Sequence, residues 1–167
     1  MLINKQLITI VQKIKLIIFD VDGVMTDGRI YFTHNGEQML SFYVHDGLGI
    51  KQVQDCGVIT AVISGRRSSA LQHRLNELNI PHALLGQHDK LTALNTLLLE
   101  FDIPLDCIAY VGDDLPDIPV MQKVGLPIAV ANAVEPVKNV ARFCTQKTGG
   151  NGAVREVCDF ICAAIRS

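Results

Sequence analysis

An α/β fold on a doubly wound parallel sheet is what this sequence predicts, from three observations. Short runs rich in aliphatic and β-branched residues recur along the chain and are apolar on both faces. Strands of a parallel sheet covered by helices on both sides have that character. Segments with helical apolar spacing separate the runs, as in βαβ architecture. Acids, a hydroxyl and glycines gather just after several runs, at the strand ends where an open α/β sheet binds its ligands.

The elements follow in order. Leu2, Ile3, Leu7, Ile10, Val11 and Ile14 stand at helical spacing and predict an N-terminal helix docked on the body or on a partner. Leu16–Phe19 is the first strand, and 58–63, 83–85, 108–111 and 128–130 predict the others. Helices are expected over 47–55, 67–78, 90–100 and 115–123. Val154, Val157, Cys158, Ile161 and Ile165 form one face of a closing helix. Residues 29–43 depart from this alternation: two apolar stretches flank His34-Asn35-Gly36-Glu37, which predicts a β-hairpin around an Asn-Gly turn.

Composition narrows the function. With 167 residues, 49% hydrophobic and 19% charged, the chain carries ample core material for one domain over 1–167. A net charge of −2 without a basic block excludes a nucleic-acid binder working by phosphate neutralisation. No run approaches the roughly 18 apolar residues of a membrane helix. Five cysteines without a CxxC pair argue against a disulfide framework or a structural zinc site. A reducing cytoplasm is the expected setting.

The strand ends carry the chemistry. Leu16–Phe19 runs into Asp20-Val21-Asp22-Gly23, and in extended chain residues i and i+2 share a side, so Asp20 and Asp22 converge. Two carboxylates so close call for a cation or a shared proton. The run 58–63 ends in Ser64-Gly65-Arg66, Lys90 opens a later helix, and 108–111 ends in Gly112-Asp113-Asp114-Leu115-Pro116-Asp117. Several carboxylates make a hard oxygen donor set that favours Mg²⁺, and a cation with lysine, arginine and a hydroxyl suits a phosphoryl group. Taken singly the residues say less. A lone DxDG is as well explained by turn capping, and a lone Lys90 by a solvated helix face. Arg66 and Arg74, eight apart, either both face the site or are both solvated. His34, His73, His82 and His88 read as surface residues, and Cys158 and Cys162 as core.

Together these motifs resemble the haloacid dehalogenase superfamily of phosphotransferases over nearly the whole chain. The resemblance implies a Rossmann-like sheet, with Asp20 as nucleophile and Asp22 as acid and then base. It implies Mg²⁺ held by Asp20, the Asp22 carbonyl and Asp113, and phosphate oxygens held by Ser64, with its neighbour Gly65, and by Lys90. Asp114 and Asp117 are expected to support the metal and Lys90. The segments 22–28, 45–50, 64–66 and 149–156, with the hairpin, further resemble the branch acting on 3-deoxy-D-manno-octulosonate 8-phosphate. That likeness implies substrate contacts from Tyr43, Val44, His45, Asp46, Gly47, Lys51, Arg66 and Arg74. Many relatives carry arginine where this chain has His45. The implied activity is Mg²⁺-dependent hydrolysis of a sugar-acid phosphate in lipopolysaccharide biosynthesis, with a nonulosonate 9-phosphate as the alternative substrate. A phosphoacceptor receiver is disfavoured by motif order, since the DxD opens the chain and the later acids follow the lysine. A silent scaffold is disfavoured because no acid is missing.

Superfamily members usually cover the site with a cap domain. Only 24 residues separate Gly65 from Lys90, so no cap domain is expected, and the hairpin alone fills the first insertion. An isolated hairpin is marginal in water, and this one carries Ile30, Tyr31, Phe32, Met39, Phe42 and Tyr43. Hairpins from several subunits are therefore expected to pair. The resemblance implies a homotetramer in which the glycine-rich segment before Arg155 closes over a site.

Overall fold

The structure is a computed structural model and describes residues 5–167. Leu2 and Ile3 lie outside the described residues; within them the first helix, α1, spans Lys5–Val11. Strand β1 (Leu16–Phe19) is wholly buried at the centre of a six-stranded sheet. The hairpin strands β2 (Tyr31–Phe32) and β3 (Gln38–Met39) form a separate two-stranded sheet. Helix α2 (Val44–Asp55), β4 (Ile59–Ser64), α3 (Ser69–Glu77) and β5 (His82–Leu85) complete the first half. The second half is α4 (Lys90–Leu98), β6 (Ile108–Gly112), α5 (Ile118–Met121), β7 (Leu126–Ala129), α6 (Glu135–Val140), β8 (Phe143–Cys144) and α7 (Ala153–Arg166).

The main sheet runs β5-β4-β1-β6-β7-β8 with parallel pairing throughout. The chain steps outward from β1 through β4 to β5, then returns to β6 on the other side of β1. That reversal leaves a crevice at the carboxyl ends of β1 and β6, where doubly wound sheets bind ligands. Register brings Phe19 level with Val111, so Asp20 and Gly112 leave the sheet side by side. Helices α1 and α2 pack with α7, and α4 and α6 pack with α5. Right-handed crossovers put these groups on opposite faces, which is why β1, β6 and β7 are buried along their whole length.

Several elements differ from the sequence reading. The stretch 115–123 is a 3₁₀ turn, Leu115–Asp117, followed by the short α5. Asp114 and Asp117 close a capping box there, and Pro116 and Pro119 lack the N–H groups a longer helix would use. Helix α2 begins at Val44, three residues before the expected start. Helix α6 and β8 were not foreseen, because a two-residue strand has no periodicity and exists through its pairing with β7. The hairpin pairs only Tyr31 with Met39 and Phe32 with Gln38. Its turn closes with Thr33 N–H donating to Glu37 O at 2.9 Å, and Gly36 takes φ +80°. Among the described residues no helix is long and apolar enough to cross a membrane.

Candidate active site

An open cleft of about 400 Å³ sits over the β1–β6 crevice, and its lining includes Asp20, Asp22, Gly65, Arg66, Lys90 and Asp113. Three strand ends and one helix start supply these groups. Asp89 caps α4 by accepting the N–H groups of Leu91 and Thr92, which places Lys90 at the first helical position, aimed into the cleft. Its ammonium lies 2.7 Å from Asp20 Oδ1 and 2.7 Å from Asp117 Oδ1, with all three side chains buried. Burial opposes the charge on Lys90, but Asp20 and Asp117 outweigh it and hold the ammonium above the ordinary lysine range.

Asp117 is fully used. Its Oδ1 also accepts the Tyr110 hydroxyl at 2.7 Å, and its Oδ2 accepts the N–H groups of Asp113 and Asp114 at 2.9 and 3.2 Å. Burial and then Asp117 push the Tyr110 hydroxyl well above its ordinary range, so it acts as a donor. Asp117 thus fixes Lys90 and shapes the turn that presents Asp113. Asp20, Asp113 and Asp117 bring carboxylate oxygens within 4.8 Å of one another. Since Asp117 is saturated, Asp20 and Asp113 hold the oxygens free for a cation. Burial, reinforced by Asp117 against the pull of Lys90, raises Asp20 to about 6. Burial followed by the Asp20 and Asp117 charges raises Asp113 to about 8. The protein's own groups leave this cluster under-neutralised, and an all-oxygen set of that charge fits a hard divalent cation.

Backbone geometry frames the same spot. Gly23 takes φ +84°, and a Cβ there would stand 2.0 Å from Asp113 Oδ2, so only glycine lets the two loops meet. Asn132 ties this loop to the glycine-rich segment, donating to Gly23 O at 2.9 Å and accepting Gly149 N–H at 2.6 Å. Gly150 N–H donates to Val24 O at 3.1 Å. The segment before α7 therefore buttresses the loop after β1 in its own chain.

The remaining candidates fall into two groups. Asp22 lies in the cleft with Oδ2 3.3 Å from Arg66 Nε. Asp114 lines the cleft and caps the 3₁₀ turn. Ser64 is fully buried, its Oγ accepting Arg66 N–H at 3.2 Å, so Gly65 and Arg66 rather than Ser64 form the wall. Tyr43, Val44, His45, Asp46, Gly47, Lys51 and Arg74 do not line this cleft. Tyr43 and His45 edge a second opening with Lys147 and Arg155, and Val44 and Lys51 are exposed. Asp46 is buried and accepts Arg155 N–H at 2.8 Å; Gly47 lies under the Arg74 guanidinium. Arg74 pairs with Glu77 at 2.8 Å and sits 5.7 Å over the Phe42 ring. Asp46 and Gly47, buried on α2, meet α7 and α3 through Arg155 and Arg74, so all three brace α2 in this chain.

Sequence reasoning missed Gln87 and His88, which line the cleft; they follow β5, so the strand-end rule applied there would have found them. It also missed Tyr110, whose bond to Asp117 joins residues on one strand and the turn beyond it. No local signal announces Asn132.

A buried lysine between two aspartates, with a further aspartate beside them at the switch point of a doubly wound sheet, defines a phosphoryl-transferring hydrolase of the haloacid dehalogenase type. Residues 84–157 match the haloacid dehalogenase-like hydrolase family model. The chain is 47% identical over 151 residues to the 3-deoxy-D-manno-octulosonate 8-phosphate phosphatase of Yersinia pestis, covering 90% of this chain and 81% of that protein. The Moraxella catarrhalis phosphatase of that name, solved with magnesium, phosphate and the sugar acid, superposes with a TM-score of 0.94 at 43% identity, covering 96% and 92% of the two chains. The cobalt-bound Haemophilus influenzae phosphatase gives 0.90 at 41% identity, covering 94% and 92%. The chain belongs to the 3-deoxy-D-manno-octulosonate 8-phosphate phosphatase family of haloacid dehalogenase-like hydrolases, and it is a phosphoric monoester hydrolase.

Proposed function

We propose that this chain hydrolyses 3-deoxy-D-manno-octulosonate 8-phosphate to the free sugar acid and phosphate, as a step of lipopolysaccharide biosynthesis. The observation that carries the reading is the Asp20–Lys90–Asp117 chain of 2.7 Å contacts beside Asp113, in a fold whose relatives bear that activity in their names. Asp20 is the nucleophile: Lys90 orients its Oδ1, and its second oxygen attacks phosphorus, giving an aspartyl-phosphate in two displacements instead of one. Asp22 gives its proton to the leaving alkoxide and then takes one from the attacking water. Its 3.3 Å contact with Arg66 holds it at the cleft wall. Lys90, Arg66 and the main chain at Gly65 receive phosphoryl oxygens, and Ser64 shapes that turn from beneath. Asp20, Asp113 and the main-chain carbonyl of Asp22 would hold Mg²⁺, which when bound neutralises charge on the transferring group.

The exposed Ile30, Tyr31, Phe32 and Met39 support assembly through the hairpins, which we read as a homotetramer of single, capless domains in the cytoplasm. In that assembly Tyr43, Val44, His45 and Lys51 meet the sugar in a neighbour's cleft. The test is phosphate release from 3-deoxy-D-manno-octulosonate 8-phosphate and from a nonulosonate 9-phosphate. Wild type should favour the first, and Asp20→Asn should retain no turnover while keeping its circular dichroism spectrum. Substantial activity in Asp20→Asn, or preference for the nine-carbon ester, refutes the reading.

A further inference from the structure

Cys56 and Cys162 come from distant parts of the chain, yet their sulfurs lie 2.9 Å apart where the end of α2 meets α7. Thiol sulfurs in mere contact sit farther apart, and a disulfide bond is about 2.0 Å long, so closure needs a shift of roughly 0.9 Å. Both cysteines are free. The interface between the helices is tight: a Cβ on Gly49 would lie 3.1 Å from Arg155 Cα and 3.3 Å from Cys158 Cβ. Asp46 caps the start of α7 from the same helix. Two packed helices thus hold the thiols face to face, with the Cys162 sulfur also 3.6 Å from Gln52 O. The pair differs in access, since Cys56 is half-buried and Cys162 is 7% exposed.

We propose that Cys56 and Cys162 are a modification site, closing to an intramolecular disulfide when the protein meets hydrogen peroxide. Cys56, the accessible partner, attacks one peroxide oxygen as its thiolate. The O–O bond breaks, Cys56 becomes a sulfenic acid, and the departing hydroxide takes up the thiol proton as water. Cys162 sulfur then attacks Cys56 sulfur, the S–O bond breaks, and the hydroxyl leaves as a second water with the Cys162 proton. Two thiols lose two electrons and one peroxide becomes two waters. Burial, and then the hydrogen bond shared with Cys56, pushes the Cys162 thiol up to about 12, so Cys162 stays protonated while Cys56 reacts first. In a reducing compartment such a bond is transient and responds to oxidant. Cys144, exposed and without a facing thiol, gives the internal comparison.

The experiment treats the full-length protein with hydrogen peroxide under native conditions, alkylates, and maps tryptic peptides. Cleavage after Lys51, Arg66, Arg155 and Arg166 places Cys56 in 52–66 and both Cys158 and Cys162 in 156–166. Fragment spectra, and Cys158→Ala as a second substrate, assign the partner. The expected result is a linked 52–66/156–166 species through Cys162, a 2 Da loss in intact mass, and reversal by dithiothreitol. The closed form should melt roughly 5–10 °C higher, with no such rise in Cys56→Ser or Cys162→Ala. Linkage through Cys158, or oxidation of Cys56 to sulfinic acid without a link while Cys144 is modified at the same rate, overturns the proposal.

Discussion

Gly23→Ala tests the close approach of the loops after β1 and β6. Two costs separate cleanly. Alanine in the left-handed region costs about 1–2 kcal/mol, whatever surrounds it. Its Cβ would in addition stand 2.0 Å from Asp113 Oδ2 and 2.7 Å from Asp113 Cγ. Ordinary contact begins near 3.4 Å, so the carboxylate must retreat by roughly 1.4 Å. Gly36 offers the matched control, because its φ is +80° and nothing lies within 4 Å of the added carbon. Both variants should lose at least the backbone cost of about 1–2 kcal/mol in urea unfolding, and Gly23→Ala should lose more. Only Gly23→Ala should weaken Mg²⁺ binding, by ~10–100-fold in calorimetric titration, and cut phosphate release by ~10²-fold, since a misplacement near 1 Å is enough for that loss. If Gly23→Ala binds Mg²⁺ and turns over within about twofold of Gly36→Ala, then Asp113 is not the group this glycine accommodates.

Asp22→Asn should fold normally and lose ~10²–10⁴-fold in turnover, with least effect on esters whose leaving groups need no proton; equal losses on nitrophenyl and sugar phosphates would contradict its role. Excess chelator should abolish activity and Mg²⁺ should restore it, with Ca²⁺ a poor substitute because its coordination is larger and looser; activity persisting in chelator counts against the metal. In chelator, stability should fall as pH rises from about 4 to about 8, because folding raises Asp20 to about 6 and Asp113 to about 8 from 3.8, so the folded state binds more protons than the unfolded one across that window. Melting curves at about pH 5.5 and about pH 8.5 check the sign, and Asp113→Asn should flatten the slope. Light scattering at micromolar concentration should give roughly four chain masses, and a fully active monomer would refute assembly through the hairpin.

The central strands and the acids at their ends were legible because each signal is local. Leu16–Phe19 is too short and too apolar for anything but a buried strand, and Asp20 and Asp22 both line the cleft at its end, Asp22 from the turn that follows rather than from extended chain. The supporting role of Asp117 was also legible from motif resemblance, though its four hydrogen bonds were not. Two-residue β8 and the truncated hairpin were misjudged because pairing partners, not propensity, set their lengths. Residues 43–47 are expected as one contact segment, and the start of α2 at Val44 sets Asp46 and Gly47 inward and Val44 outward, a division that only the fold shows.

What the sequence determined by itself is the sheet, the order of its motifs and the chemistry those side chains can perform, since apolar runs and short spacings act within a few residues. Only the tertiary structure decided which groups meet across the chain. Lys90 reaches Asp20 and Asp117 because β5 hands the chain back to β6 beside β1. Asn132 joins Gly23 to Gly149, and Cys56 faces Cys162 across 106 residues. Such meetings depend on how helices pack on the two faces of the sheet, and side-chain burial and charge at those contacts follow from that packing.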